Sequence, residues 1–392
     1  MSGGLAVVLG IRPDVIRASL ILEFLRERGV PYTFIWSGQH YSDNLKDVFF
    51  RQLRVPAPDI ELGISAEHDA ELVGRLVIAL APVLEWLRPE AAVFLGDTNT
   101  VMGCLAAAQL NIPVVHIEGC MRSYDWRMPE EKYRTIVDHL ADVIYAYLEE
   151  YKRQGEREGL SPERIVVTGN PIVDVLSRYY FGRREHFEAV ASPGFFQARG
   201  LRRHHYYLMT CHRRENVQDR AALARVLALA GAADAPVYFA ASYRTQRMIK
   251  TFGLTLPETV ILADPIGYEE FLTLMTNSRG VFTDSGTVVE EACILQVPSV
   301  QMRRSTERPQ VYDVGACVKF DPGDAAGFSV EAVLDRLTRL RGKTWPNPFG
   351  DGRASERIVD DLAARLSSGR FAGHRPQDYP MDVSRAYRGD GL

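Results

Sequence analysis

Apolar residues fall in short runs, each followed by a loop containing Gly, Ser or Asp and then by a longer stretch with helical spacing. Residues 5–9, 32–36, 91–95, 113–117 and 143–147 are such runs. Short runs dominated by apolar or β-branched residues predict strands buried on both faces. Their alternation with helical stretches predicts βαβ units and a parallel sheet. The rhythm ends near Val166-Val167-Thr168-Gly169-Asn170-Pro171 and restarts with 206–210, 237–240, 260–262, 281–283, 299–302 and 318–320. Between the two sets, 182–205 is charged and weakly periodic and is expected to be a connection. A last helix is predicted over 354–366, and little core pattern follows Gly369. The expected fold is α/β, with two Rossmann-like domains over 1–170 and 171–369 and a helix at about 370–392 packing back on the first. Such sheets bind ligands beyond the carboxyl ends of their strands. If the two sheets face a central cleft, the loops at those ends converge in it.

Composition narrows the classes of function. A chain of 392 residues exceeds one ordinary core. Hydrophobic residues make up 46% and charged residues 24%, a globular profile. A net charge of −4 gives no general case for nucleic acid or an anionic membrane as partner. No apolar run is long enough to span a bilayer, and the start lacks a basic leader region. Five cysteines, odd in number and without CxxC spacing, argue against a disulfide framework and a zinc site, and for a reducing, cytoplasmic setting. No GxGxxG follows a predicted strand, so no nicotinamide or flavin cofactor is expected.

The loops after the strands carry the candidate chemistry. Gly10-Ile11-Arg12-Pro13-Asp14 places Arg12 at a helix start, a diphosphate site or a plain turn. Asp97, in Gly96-Asp97-Thr98, is either a helix cap or a carboxylate aimed at a ligand. Glu118 ends a run that looks fully buried, where a carboxylate needs a partner or a function. Pro129-Glu130-Glu131 starts a helix on which Glu130 and Arg134 lie one turn apart and can pair. In the second set, His212-Arg213-Arg214 opens a helix after a strand and suits an anion or a proton shuttle. Ser285, Gly286 and Thr287 offer N–H and hydroxyl donors to phosphate oxygens, Glu291 could accept from ribose hydroxyls, and Thr287 with Glu290 also matches a capping box. Acids, a His and several Arg on strand-end loops together describe a sugar-diphosphate site with acid/base groups.

In this order the segments resemble the non-hydrolysing UDP-N-acetylglucosamine 2-epimerase family. The matching positions are Gly10-Ile11-Arg12-Pro13-Asp14, Gly38-Gln39-His40, Gly96-Asp97-Thr98, His116-Ile117-Glu118, Pro129-Glu130-Glu131 with Arg134, Gly169-Asn170-Pro171, His212-Arg213-Arg214-Glu215, Asp284-Ser285-Gly286 with Glu290-Glu291, Thr306-Glu307-Arg308-Pro309 and Gly350-Asp351-Gly352. The resemblance spans nearly the whole chain. It implies a glycosyltransferase-B-like pair of Rossmann domains, a UDP-sugar substrate, no cofactor and a homodimer. It implies reversible inversion at C2 by anti elimination of UDP to a 2-acetamidoglucal and re-addition. By matched position, Asp97, Glu118 and Glu130 are acid/base candidates, with Arg134, Arg17 and His212 in the catalytic set. Arg12, Ser285, Gly286, Thr287, Glu291 and Arg308 would hold UDP, and Phe271 would lie against uracil. Family members usually carry Thr at Ile11, Glu at Asp14, Lys at Arg17 and Ala-Gly at Gly119-Cys120. The Gly-Gln-His-Tyr form at 38–41 looks like branches that epimerise modified aminosugars. A hydrolysing relative that releases UDP and the free sugar, and a glycosyltransferase of the same fold, are the competing readings.

Overall fold

A computed structural model describes residues 3–38, 50, 52–66 and 68–371, without the side chain of Arg12. The expected Gly38-Gln39-His40 loop, apart from Gly38, and the expected helix at 370–392, apart from its first two residues, lie outside the described residues.

The chain divides into two compact units, Met1–Val175 with Gly350–Leu392, and Leu176–Phe349. The first unit holds β1 (Leu5–Leu9), β2 (Tyr32–Trp36), β3 (Ile60–Glu61), β4 (Ala91–Leu95), β5 (Val114–Ile117), β6 (Val143–Ala146) and β7 (Ile165–Val167). They form one parallel sheet in the order β3-β2-β1-β4-β5-β6-β7. β1, β4, β5 and β6 are buried along their whole length, and apart from His116 in β5 they read as unbroken apolar runs. The edge strands β3 and β7 have two and three residues and leave little pattern to read. The second unit holds β8 (Tyr207–Thr210), β9 (Val237–Ala240), β10 (Val260–Ala263), β11 (Val281–Thr283), β12 (Ser299–Met302) and β13 (Cys317–Phe320), in the parallel order β10-β9-β8-β11-β12-β13. In each sheet the chain reverses its direction of travel between the first strand and the fourth, at β1/β4 and β8/β11. Ligands bind outside the carboxyl ends at such points.

Two expectations change. The stretch 182–205 is not a bare connection. It contains the helices Arg184–Val190 and Pro193–Gln197, whose Phe187 and Phe196 are buried. Helices of seven and five residues are too short to display a helical period. The last helix, Ala354–Ser368, packs on the first unit, whereas the expected division at 171–369 kept it with the second. Its start is capped by Asp174, which accepts from the Ala354 and Ser355 N–H at 3.2 and 2.5 Å. Tyr145 donates to its Asp361 at 2.8 Å, and Arg28 pairs with its Asp360 at 2.5 Å. The helix reads clearly in the sequence, but periodicity alone does not say which sheet an apolar face will cover.

All five cysteines are buried and free. Among the described residues, no helix is long and apolar enough to cross a membrane.

Candidate active site

In the first unit the site grows from the ends of β1, β4 and β5. Gly10 turns the chain where a Cβ would stand 1.8 Å from the Thr100 hydroxyl and 2.6 Å from the Ser37 hydroxyl, so only glycine fits. The helix Arg12–Glu27 starts here, with Pro13 in its first turn. Asp14 reaches back and accepts from the Gly10 and Ile11 N–H at 3.3 and 3.2 Å. Burial pushes the Asp14 carboxyl up to about 8, against the opposing pull of Arg17 and those two N–H groups, and the charge of Asp97 adds to the rise. One turn on, Arg17 forms a buried ion pair with Glu118.

Glu118 follows β5 and is fully buried, with φ at +80°. A non-glycine residue there is strained, and such strain collects at functional sites. The conformation is held because the Glu118 and Gly119 N–H both donate to the Tyr145 carbonyl, at 3.1 and 3.2 Å. On the side chain, Oε2 receives Arg17 Nη1 and the Tyr147 hydroxyl, the latter at 3.3 Å.

Asp97 follows β4. Thr98, not Asp97, occupies the cap position of the short helix Asn99–Gly103. The Asp97 carboxylate instead pairs with Arg134, a fully buried guanidinium on the helix Pro129–Leu140. Arg134 also reaches Glu131 and the Met121 carbonyl, each at 3.4 Å. Glu131 in turn accepts from the Ser123 N–H at 3.0 Å, the Ser123 hydroxyl at 3.0 Å and the Tyr124 N–H at 2.8 Å. Glu130, in the first turn of the same helix, is partly buried where the helix dipole favours a carboxylate.

A buried strut lies behind these acids. His116, on β5, bridges the Gly96 carbonyl at 2.8 Å and Asp138 at 2.7 Å. Asp138 also accepts from the Cys120 N–H at 2.9 Å and Arg122 at 2.7 Å. Burial works against its charge, but His116 and Arg122 outweigh that and hold its carboxyl down at about 2. The strut joins the loop of Asp97, the strand of Glu118 and the helix of Arg134. A Cβ at Gly119 would stand 2.2 Å from Ile144 and 2.8 Å from Asp138, so the residue beside Glu118 is also confined to glycine.

In the second unit, Asp284 closes β11. Its buried carboxylate accepts from the His212 N–H at 3.0 Å, the Arg213 N–H at 2.9 Å and the Asn216 amide at 3.1 Å. This knot ties the loop after β8 to the loop after β11. The His212 ring stays 49% exposed, with Nδ1 3.4 Å from Asp284 Oδ1. The helix Gly286–Ile294 is capped by Ser285, whose hydroxyl accepts from the Val288 N–H at 3.4 Å. The expected Thr287–Glu290 box does not form the cap, because Glu290 binds Arg308 at 2.6 Å.

Arg308, expected on the diphosphate, is buried, and its charge is met by both Glu290 and Glu307. A guanidinium this dry needs such partners. It lies under Gly286, where a Cβ would come within 2.5 Å of Nη1. Gly286→Ala is therefore expected to displace the helix start and to weaken UDP binding by roughly tenfold, with about 1–3 kcal/mol of stability lost. Calorimetric titration with UDP and a denaturant melt check both, and unchanged affinity would remove the Gly286 segment from the ligand site. Glu291 is buried and accepts from the Tyr268 hydroxyl at 2.7 Å. Phe271 is partly buried and packs against the core, and Thr287 is buried.

The structure thus gathers Asp97, Glu118, Arg134 and Arg17 on the first unit, and His212, Ser285, Gly286 and Thr287 on the second. Sequence reasoning passed over Asp14, Tyr147, Glu131 and the Asp284 knot as site residues. Asp14, Glu131 and Asp284 stand inside motifs already singled out. Tyr147 left no signal, because a tyrosine closing an apolar run reads as core.

A family model described as UDP-N-acetylglucosamine 2-epimerase matches residues 23–363. A UDP-N-acetylglucosamine 2-epimerase of Methanocaldococcus jannaschii is 36% identical over 370 residues, covering 91% of this chain and 97% of that one. A UDP-2,3-diacetamido-2,3-dideoxy-D-glucuronate 2-epimerase of Pseudomonas aeruginosa is 32% identical over 369 residues, covering 91% and 98%. The crystal structure of the Methanocaldococcus jannaschii enzyme in complex with UDP-GlcNAc and UDP matches with a TM-score of 0.84 at 34% identity, over 92% of this chain and 99% of that one. With this likeness the fold is of the glycosyltransferase-B-like class. The chain belongs to the UDP-N-acetylglucosamine 2-epimerase family.

Proposed function

We propose that the protein reversibly inverts C2 of a UDP-linked N-acetylhexosamine. The observation that carries this is Glu118, a fully buried carboxylate at φ +80°, ion-paired with Arg17 at the end of β5, beside the β4 loop where Asp97 pairs with Arg134. Structural carboxylates do not require a strained backbone, whereas acids that must meet a substrate carbon in one geometry are worth that cost.

In this reading, one acid takes the C2 proton as the C1–O bond breaks. The C–H pair becomes the C1=C2 bond of a 2-acetamidoglucal, and UDP leaves with the C–O pair. A second acid returns a proton to the opposite face of C2, and UDP adds back at C1. Asp97, Glu118 and Glu130 are the candidates, with Arg134 and Arg17 orienting the first two. Arg12, His212 and the N–H groups at Ser285, Gly286 and Thr287 would hold the diphosphate. Glu291 and Phe271 would take ribose and uracil. Arg308 acts from beneath, as the support of Gly286. None of these steps calls on a cofactor.

The test is to incubate the protein with UDP-N-acetylglucosamine in deuterated water and follow the C2 and anomeric protons by NMR. Deuterium at C2 in a mixture of gluco and manno UDP-sugars is expected. Free N-acetylmannosamine with UDP would replace this reading by the hydrolysing one. Turnover only when an acceptor is added would make the protein a glycosyltransferase. If UDP-N-acetylglucosamine is inert, the same assay with a UDP-2,3-diacetamido-uronate tests the modified-sugar branch. A homodimer belongs to the same proposal, and sedimentation at micromolar concentration tests it.

A further inference from the structure

Tyr147 has no part in the roles assigned so far, and its surroundings are unusual for a core tyrosine. It is 1% exposed and stands just past the end of β6, the strand paired with β5. A phenylalanine would fill the same space. A buried hydroxyl needs a partner, and here Glu118 Oε2 accepts from it at 3.3 Å. The same oxygen receives the Arg17 guanidinium, so two donors converge on one oxygen of the carboxylate. The end of β6 also holds the main chain of this residue, because the Tyr145 carbonyl accepts from both the Glu118 and Gly119 N–H. Backbone and side chain of Glu118 are thus fixed from one neighbouring strand end.

We propose that Tyr147 is a positioning residue for Glu118, which holds Oε2 together with Arg17 and so fixes the orientation of the carboxylate toward the sugar. The inference rests on the epimerase reading given above. In the elimination direction, the C2 proton moves to the Glu118 carboxylate while the C–H electron pair forms the double bond and UDP leaves with the C1–O pair. In the reverse reaction the Glu118 carboxylate gives the proton back to the same face of C2, and a second acid serves the opposite face.

Tyr147→Phe removes the hydroxyl and keeps the ring. A hydrogen bond to a charged group is worth roughly 10- to 100-fold, so kcat is expected to fall by that factor. KM and the Kd for UDP should stay within about threefold, because diphosphate binding is assigned to other residues. Tyr147→His restores an N–H donor on a ring and should recover part of the loss. Glu118→Asp withdraws the carboxylate by one methylene, and in that background Tyr147→Phe should cost less than about threefold.

A Tyr147→Phe enzyme within about twofold of wild type overturns the inference, as does an equal loss in both backgrounds. Should Tyr147→Phe fail to fold, the Tyr147→His enzyme carries the test, and coupling to Glu118→Asp in that pair decides it. C2 deuterium exchange by the wild-type protein separates the two failures. With exchange present, the outcomes above bear on Tyr147 alone. With no exchange on any UDP-aminosugar, the epimerase reading falls and this inference falls with it.

Discussion

Glu118→Gln is expected to lower turnover by about 10³-fold while the Kd for UDP stays within about threefold. The amide keeps the shape of the side chain and removes its capacity to exchange a proton at C2. Asp97→Asn is expected to behave alike, since its carboxylate occupies the neighbouring loop and the ion pair with Arg134. UDP binding survives in both variants because the proposed diphosphate donors lie on the helix start at Ser285, Gly286 and Thr287 and on His212. The substitutions have a structural side effect with a definite sign. Arg17 and Arg134 are buried, and loss of an ionised partner from a buried pair costs about 3–5 kcal/mol. Kinetics therefore have to be read beside a melt and a UDP titration on the same preparation. Turnover near wild type in the Glu118 variant would take that residue out of the chemistry, whatever the melt shows.

The parts of this molecule that were legible in the sequence are those whose physics is local. β1, β4 and β6 read correctly because strands buried on both faces are apolar along their whole length. Loops after them stood out because a parallel sheet delivers ligands there. Glu118 was conspicuous for the same reason, as a charge ending an apolar run. What could not be read is pairwise and long-range. Arg134 lies one turn from Glu130, yet the structure brings it to Asp97, 37 positions away. Arg308 looked like a free cation for a phosphate, and only its contacts with Glu290 and Glu307 show that its charge is already met. The helix Ala354–Ser368 had a clear period and no stated destination. Its place on the first unit depends on Asp174, Tyr145 and Arg28, none of which lies near it in the chain.

Asp14→Asn is expected to make the protein more stable, and by more as the pH rises. The carboxyl is buried at the turn after β1, and its value near 8 stands well above that of an exposed aspartate. Desolvation dominates, and the nearby Arg17 guanidinium is already paired with Glu118. Below about pH 4 both folded and unfolded chains carry Asp14 protonated, and the residue has no effect through ionisation. Between about 4 and 8 the unfolded chain gives up this proton and the folded chain keeps it, so stability falls by about 1.4 kcal/mol for each pH unit. Above about 8 both forms are ionised and the loss levels off, at a total on the order of 5 kcal/mol. Asparagine keeps an oxygen to accept the Gly10 and Ile11 N–H and has nothing to titrate. Denaturant melts of both proteins at pH 5, 6, 7 and 8 give the difference directly, and other groups cancel in it. A difference that widens with pH shows an acid kept neutral beside the proposed catalytic pair, a destabilising arrangement of the kind that active sites retain and cores do not. A difference that stays flat shows Asp14 ionised throughout, and its role is then confined to holding the turn.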